Sequence, residues 1–236
     1  MKLSVVVPAF NEERLLPRTL ACLHAGLSVL AARGWSAELI VCDNNSTDRT
    51  AELARAAGAR LVFEAVNQIA RARNTGAGAA SGDWLLFVDA DSLPSVELMR
   101  DMLQVIQSGN CVGGGCTVAM PGATNSVRAW VAGWNTLSRI AGWAAGAFLF
   151  CDAAAFRALG GFSEKLFASE EIDLSRRLKR VGRFVILHRH PLMTSGRKAE
   201  LYSWHEHAQF LLRWALSGGR NLRRRDGCWI WYDGRR

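Results

Sequence analysis

The chain has 236 residues, of which half are apolar and 21% are charged, and its formal net charge is +8. A chain of this length and composition can bury one well-filled core, which excludes a disordered or fibrous protein. Six cysteines are present without a Cys-x-x-Cys pair, so their spacing is not that of a zinc site.

The first 120 residues alternate between strand-like and helix-like stretches. Short apolar runs predict strands at residues 3–7, 38–42, 60–63 and 84–88. Apolar residues at helical spacing, with glycine or proline at the boundaries, predict helices at residues 12–32, 48–58, 71–80 and 94–107. This alternation predicts a mostly parallel sheet with helices on both faces.

The second half of the chain is less regular. Residues 129–151 are apolar and rich in tryptophan, but Asn135 and Arg139 interrupt them. The uninterrupted part is too short to span a bilayer, which takes about 20 apolar residues. The stretch therefore predicts a buried or interfacial helix followed by a strand. Residues 166–181 predict a helix that runs from acidic to basic, and residues 183–187 predict a strand.

Three polar clusters directly follow predicted strands, at residues 8–12, 43–48 and 89–91. Because the carboxyl ends of parallel strands meet at one edge of a sheet, we expect the clusters to lie together and to bind a ligand. Asp89 and Asp91 repel each other unless a cation lies between them or one is protonated, and Mg²⁺ and Mn²⁺ favour such oxygen ligands. The alternative is a turn that merely ends the strand.

The cluster after the second strand has two interpretations. Asp43 can accept hydrogen bonds from a nucleobase or a ribose, or the cluster can be a loop that caps the next helix. We expect the hydroxyl of Ser46 or Thr47 to be the cap. Asp43 lies too early to cap the helix, so we favour a ligand for it, whereas both interpretations stay open for Asp48.

Six short segments occur in a fixed order along the chain. They are Val5-Val6-Val7-Pro8-Ala9-Phe10-Asn11-Glu12, Asp43-Asn44-Asn45-Ser46-Thr47-Asp48, Ala72-Arg73-Asn74-Thr75-Gly76, Phe87-Val88-Asp89-Ala90-Asp91, Gly160-Gly161-Phe162-Ser163-Glu164 and Glu170-Glu171-Ile172-Asp173-Leu174. Together they resemble the GT-A glycosyltransferases of family 2. The resemblance implies a single Rossmann-like GT-A domain over residues 1–236, in which helices flank a mixed, mostly parallel α/β sheet. Residues 1–120 would be its nucleotide-sugar half and residues 121–236 its acceptor half.

The resemblance also implies an activity. A glycosyltransferase of this kind moves a sugar from a UDP- or GDP-sugar to a glycan, a lipid or a small-molecule acceptor, with inversion at the anomeric carbon and with Mn²⁺ or Mg²⁺ as cofactor. Two alternatives stay open: transfer to a polyprenyl phosphate at the membrane surface, and a nucleotide-sugar-binding protein without catalytic activity.

The donor-side roles that the resemblance implies begin with the nucleoside. Pro8, Ala9 and Glu12 are expected to line its pocket. Asp43 is expected to bind the base. Arg73 is expected to contact the base or the phosphates.

The metal site that the resemblance implies lies at the acidic pair. Asp91 is expected to bind the metal directly, and Asp89 to lie beside the metal, the ribose and the sugar. Such enzymes often add a late histidine ligand, a role that suits His188 or His190. Residues 194–197, which end in Arg197, are expected to hold the diphosphate, because an arginine fork binds phosphate well. A plain turn is the alternative there.

The acceptor-side roles fall on the last two segments. Gly161 and Glu170 are expected to contact the substrate. The general base of the family is an aspartate, and Glu171 occupies that position here with a side chain one methylene longer. Asp173 and Glu170 are possible substitutes, and an acidic helix start without a catalytic role is the alternative.

The basic charge is concentrated at the end of the chain, where residues 213–236 hold seven arginines and two aspartates. This part is either a solvated tail or a contact for the phosphates of a donor, a lipid or an anionic membrane surface. Met1 and Lys2 run directly into a predicted strand without a signal peptide, so we expect a cytoplasmic protein, at most peripheral at the inner face of the membrane. Nucleic acid is not an expected partner, because the strand-end carboxylates repel a phosphate backbone.

Overall fold

A computed structural model describes residues 1–196 and 219–232, together with residues 201, 205, 206, 209, 213 and 217. Its strands are β1 (Lys2–Ala9), β2 (Ser36–Asp43), β3 (Arg60–Phe63), β4 (Trp84–Val88), β5 (Ser92–Leu93), β6 (Gly113–Ala119), β7 (Phe148–Asp152) and β8 (Phe184–Thr194). Its longer helices are α1 (Leu16–Ala31), α2 (Thr50–Ala56), α3 (Ile69–Gly78), α4 (Val96–Gln107), α5 (Asn125–Ala141), α6 (Ala153–Ala158) and α7 (Glu170–Leu178). Near the end of the chain lie two 3₁₀ turns, Arg220–Arg223 and Asp226–Cys228, and a short helix, Trp229–Tyr232.

The eight described strands form one sheet in the order β3-β2-β1-β4-β7-β6-β8-β5. β1, β2, β3 and β4 are parallel neighbours, and β6 is parallel to β8. β7 runs antiparallel to both β4 and β6, and the short β5 runs antiparallel to β8. The predicted mixed, mostly parallel sheet flanked by helices is thus confirmed.

Both faces of the central strands β1 and β4 are covered, which explains why these strands are largely apolar. Successive side chains of a strand point to opposite faces. Val5 and Val7 of β1 pack in the core beneath α1 and α4, whereas Val6 packs in a second core with Phe87 and Phe162. Strands buried on both faces read as continuous apolar runs, so the predicted strands β1 to β4 were recognisable in the sequence.

The cap predicted for α2 is wrong. This helix begins at Thr50, and the side chain of its N-cap residue Arg49 makes no capping hydrogen bond. Asp48 Oδ1 accepts a hydrogen bond from Thr50 N at 2.9 Å, so Asp48, and neither Ser46 nor Thr47, holds the first N–H of the helix. Ser46 Oγ instead accepts a hydrogen bond from the backbone N–H of Asn11 at 2.9 Å, and Thr47 N donates to Asn11 Oδ1 at 2.8 Å. The two hydroxyl residues therefore join two loops of the sheet edge rather than a loop and a helix.

Strand β6 and most of β8 were not predicted. β6 begins with Gly113, Gly114 and Gly115, and glycine has a low strand propensity. A side chain at Gly114 would collide with the ring of Phe150 on the neighbouring strand, which explains the glycine. β8 continues beyond the predicted residues 183–187 through an irregularity in its pairing with β6. No helix in the described part of the chain is long and apolar enough to cross a membrane.

Candidate active site

The carboxyl ends of β1 and β2 form a single polar surface. The two strands are in parallel register up to Ala9 and Asp43, and Asn44 N donates to Ala9 O at 2.7 Å. Asn11 adopts a left-handed conformation with φ of 52° that turns its backbone N–H and side chain toward the loop after β2. The first two polar clusters of the sequence are therefore in direct contact.

The residues predicted to hold a nucleoside lie on this surface. Pro8 and Ala9 end β1 next to Asp43, which is 6% exposed and accepts a hydrogen bond from Ser46 N at 3.0 Å. Glu12 is 7% exposed, and its backbone N–H donates to Thr50 Oγ1 at 2.8 Å. The structure brings these four residues together, and their binding of a nucleoside stays a prediction.

Arg73 occupies the centre of a buried ionic cluster. It lies on α3 and is 3% exposed. Its Nη1 is 2.7 Å from Glu170 Oε1, and its Nη2 is 2.8 Å from Asp89 Oδ1. Nη2 also donates to the carbonyl of Gly146 at 3.0 Å. The guanidinium is held by two carboxylates, and it joins the end of β4 to the start of α7. Its contact with the base or the phosphates of a donor stays a prediction.

The charges in this cluster shift two pKa values. Burial alone would lower the pKa of Arg73, but the carboxylates of Asp89 and Glu170 outweigh it and raise that pKa. Burial raises the pKa of Glu171 to about 8, and the charge of Glu170 adds to the effect while Arg73 opposes it. Glu171 is thus poised to gain or lose a proton near neutral pH.

The turn before α7 is built around Asn74. This side chain donates to Phe162 O and accepts from Phe162 N, both at 2.9 Å. Gly161 has a φ of +69°, and a Cβ there would lie 2.7 Å from Asn74 Oδ1, so the position requires glycine. Asn74 lies in one of the motifs of the sequence, but no role was predicted for it, because its partners are almost 90 residues away.

The three acids at the start of α7 have different surroundings. Glu170 is 3% exposed and bound to Arg73, whereas Glu171 is partly exposed. Asp173 forms a 2.7 Å ion pair with Arg177, which in turn donates to Gly161 O at 2.8 Å. Asp173 therefore stabilises the turn through Arg177. Which of the three acids acts as the general base stays a prediction.

Asp91 lies at the wall of a cleft of about 550 Å³ between α1 and the ends of β5 and β8. Ser95, Thr194 and Ser195 line the same cleft, and Ser195 N donates to Asp91 O at 3.3 Å. On the other side of the turn, the buried Thr19 hydroxyl donates to Ala90 O at 2.8 Å. The structure thus places residues 194–196, which are predicted to bind the diphosphate, beside Asp91, and Arg197 lies outside the described residues.

The oxygen donors around Asp91 suit a hard divalent cation, which prefers carboxylate, hydroxyl and phosphate oxygens. The two histidines predicted as metal ligands lie elsewhere. His190 Nδ1 is 2.9 Å from Asp101 Oδ2 on α4, and His188 Nδ1 is 3.4 Å from Ile186 O. Among the described residues there is no group of three or more His, Cys, Asp or Glu side chains that could hold a metal ion. A cation here would need ligand oxygens to complete its coordination.

Comparisons with known proteins identify the family and the fold. The model of the family described as glycosyl transferase family 2 matches residues 4–162. Validoxylamine A glucosyltransferase from Streptomyces hygroscopicus subsp. jinggangensis is 36% identical over 107 residues, which are 43% of this chain and 24% of that protein.

Two solved structures share the fold. A mannosyltransferase from Pyrobaculum calidifontis in complex with GDP-Man and Mn²⁺ has a TM-score of 0.69 at 19% identity, over 89% of this chain and 60% of that one. Glucosyl-3-phosphoglycerate synthase from Mycobacterium tuberculosis, in complex with Mn²⁺, UDP and phosphoglyceric acid, has a TM-score of 0.61 at 21% identity, over 90% of this chain and 77% of that one. The matched residues span less than half of the length of each of these curated relatives.

Proposed function

Because the chain belongs to glycosyl transferase family 2, we propose that it transfers a sugar from a nucleoside-diphosphate sugar to an acceptor. The observation that carries the proposal is the pair of contacts made by Arg73, which ties Asp89 on the donor side to Glu170 on the acceptor side. The buried guanidinium of Arg73 thus fixes the distance between the two halves of a transfer site. Residues 1–120 provide the nucleotide-sugar half and residues 121–236 the acceptor half.

The donor would lie along the ends of β1, β2 and β4. Pro8, Ala9 and Asp43 line the nucleoside part, and the diphosphate would reach Asp91 and residues 194–196. Asp91 would hold Mn²⁺ or Mg²⁺ together with diphosphate oxygens. When bound, the cation stabilises the negative charge of the departing nucleotide. UDP- and GDP-linked sugars are the first candidates, since structural neighbours were solved with such ligands.

Glu171 is the proposed general base. In a single displacement, the acceptor oxygen bonds to the anomeric carbon as the bond from that carbon to the diphosphate breaks, and the configuration inverts. The acceptor hydroxyl loses its proton to the Glu171 carboxylate during this step. Arg73 and Glu170 hold the start of α7 in place, so the base does not have to be repositioned in each turnover.

A phosphate acceptor is a second candidate, and the pKa of Glu171 favours it. With a pKa of about 8, Glu171 is mostly protonated at pH 7 and is then a poor base. A phosphate is already ionised and needs no base. Three exposed arginines at residues 220, 223 and 225 offer charge for such an acceptor or for an anionic membrane surface, whereas Arg224 is paired with Asp226.

A binding panel tests the proposal. The melting temperature of the protein would be measured with UDP-glucose, UDP-N-acetylglucosamine and GDP-mannose, each with and without Mn²⁺. A ligand that binds the folded state raises the melting temperature, so one sugar nucleotide should do so more strongly with Mn²⁺ than without it. If none of the three shifts the melting temperature or releases nucleotide on incubation, the proposed donor chemistry is wrong.

A further inference from the structure

The last described part of the chain packs against the acceptor side of the site. We call residues 219–232 the C-terminal segment. Leu222 O accepts a hydrogen bond from Phe167 N at 2.7 Å, and the Tyr232 hydroxyl accepts one from Ile69 N at 3.2 Å. The rings of Phe167 and Tyr232 meet edge to face with centroids 5.6 Å apart. The family match ends at residue 162, so it assigns no role to this segment.

The two elements that the C-terminal segment contacts are those that carry the ionic cluster. Ile69 is the first residue of α3, and Arg73 lies one turn further along the same helix. Phe167 precedes Glu170 by three residues in the loop that leads into α7. Tyr232 therefore contacts both the helix that carries Arg73 and the loop that leads to Glu170.

A second contact shows that this loop is held from both sides. Gln68 Nε2 donates to Glu164 O at 2.7 Å and to Leu166 O at 2.9 Å, and Gln68 directly precedes α3. The residue before Glu170, Ser169, has a left-handed φ of 62°, a conformation that needs support from its surroundings. The start of α3, the loop and the C-terminal segment thus form one packed unit.

The C-terminal segment is itself well packed on its inner side. Cys228 is fully buried and Ile230 is 5% exposed. Burial raises the pKa of Tyr232, and the charge of Glu170 adds to the effect. On the outer side, Arg224 pairs with Asp226 at 2.8 Å, and both side chains are more than two thirds exposed. The segment therefore has one face toward the site and one toward solvent.

We propose that the C-terminal segment is a structural part of the active site and that Tyr232 is a positioning residue for the acceptor-side acids. Its hydroxyl holds the otherwise unpaired first N–H group of α3, and its ring supports Phe167. Together they set the separation of Arg73 and Glu170, and so the direction in which Glu171 points. This inference rests on the proposed role of Glu171 in transfer.

Three full-length variants test the inference. Tyr232→Phe removes only the hydroxyl, and Tyr232→Ala removes the ring as well. Arg224→Ala is the matched control, because it removes an exposed ion pair of the same segment. Turnover would be measured as nucleotide release from UDP-glucose, UDP-N-acetylglucosamine and GDP-mannose with Mn²⁺, with water as the acceptor. Melting temperature and donor KM would be measured in parallel, so that loss of folded protein is recognised.

We expect kcat to fall about fivefold for Tyr232→Phe and about fiftyfold for Tyr232→Ala, because small misplacements of a catalytic group have large effects on rate. Donor KM should stay within about twofold of wild type, since the nucleoside surface lies on β1 and β2. Arg224→Ala should match wild type in both parameters.

Two results would overturn the inference. One is a Tyr232→Ala protein that folds and turns over as fast as Arg224→Ala. The other is a loss in which donor KM rises as much as kcat falls, since that would indicate a general disturbance of the fold. A wild-type protein that binds and turns over none of the donors would instead count against the proposed function, and the two failures are therefore distinguishable.

Discussion

Arg73 and Asp89 are joined by a 2.8 Å contact between Nη2 and Oδ1, although the two residues belong to different elements of the fold. Arg73 lies on α3, whereas Asp89 directly follows β4. Because the same guanidinium also binds Glu170, a change at Arg73 affects both the donor-side acid and the start of α7. The contacts of Arg73 should therefore affect both the stability of the folded protein and the activity of the site.

Replacement of Arg73 by methionine should be strongly destabilising. Arg73→Met leaves the carboxylate of Glu170 buried without its cation, and removal of one partner of a buried ion pair costs about 3–5 kcal/mol of unfolding free energy. Urea denaturation measures this loss. Arg49→Ala is the control, since it breaks an exposed pair with Glu52 that should contribute little to the unfolding free energy. Equal losses of unfolding free energy in both variants would contradict the expected contribution of the buried ion pairs to stability.

The double variant Arg73→Met/Glu170→Gln extends this prediction. A neutral partner at residue 170 removes the uncompensated buried charge, so the double variant should be more stable than Arg73→Met alone. A double variant that is less stable than either single variant would contradict the electrostatic explanation.

The glycine pair before α7 gives a second prediction, about packing. Gly160 and Gly161 both have a positive φ, of +77° and +69°, so alanine strains the backbone at either position. A Cβ at Gly160 meets open space, whereas one at Gly161 would lie 2.7 Å from Asn74 Oδ1. Gly161→Ala should therefore lower the melting temperature clearly more than Gly160→Ala does. Similar melting temperatures would mean that Asn74 can move aside at little cost.

The contact between the polar clusters after β1 and β2 could be predicted from the sequence, because each cluster follows an apolar strand. The strands β1, β2 and β4 are continuous apolar runs, and parallel neighbours must end at the same edge. That is sufficient to place Asp43 near Ala9 without knowledge of the side-chain contacts.

The contacts of Arg73 could not be predicted in the same way. They depend on Gly146 and Glu170, which lie 73 and 97 residues further along the chain. The periodicity of apolar residues predicts helices and strands but not contacts between residues so far apart. The same holds for β6, where the three glycines are explained only by the neighbouring strands that approach them. The contact of His190 with Asp101 could not be predicted either, since the two residues lie on different elements, 89 residues apart.

Glu171 gives a third prediction, about activity and pH. Glu171→Gln should lower transfer to a hydroxyl acceptor by a factor of about a hundred or more, because it removes the general base. Asp173→Asn is the control and should lose far less, since Asp173 is bound to Arg177. In the wild type, kcat/KM should rise with pH as Glu171, whose pKa is raised to about 8, becomes ionised. Near-normal turnover of Glu171→Gln would favour a phosphate acceptor.

The same carboxyl group predicts how stability depends on pH. Its pKa is raised from 4.5 in the reference state to about 8 in the folded protein. Between these values the folded state keeps the proton and the unfolded state has lost it, so a rise in pH favours unfolding. The contribution of Glu171 to unfolding free energy should fall between about pH 4.5 and about pH 8, and Glu171→Gln should remove this fall. Denaturation curves of the two proteins with the same pH slope would contradict the raised pKa.

The most direct test of the central claim compares Asp91→Asn with His190→Ala in UDP and GDP binding, measured by titration calorimetry with and without Mn²⁺. Asp91 lines the cleft, whereas His190 is bound to Asp101. We expect Mn²⁺ to strengthen nucleotide binding in the wild type and in His190→Ala. Asp91→Asn should lose this increase in affinity but keep the melting temperature of the wild type. An undiminished Mn²⁺ effect in Asp91→Asn would contradict this expectation.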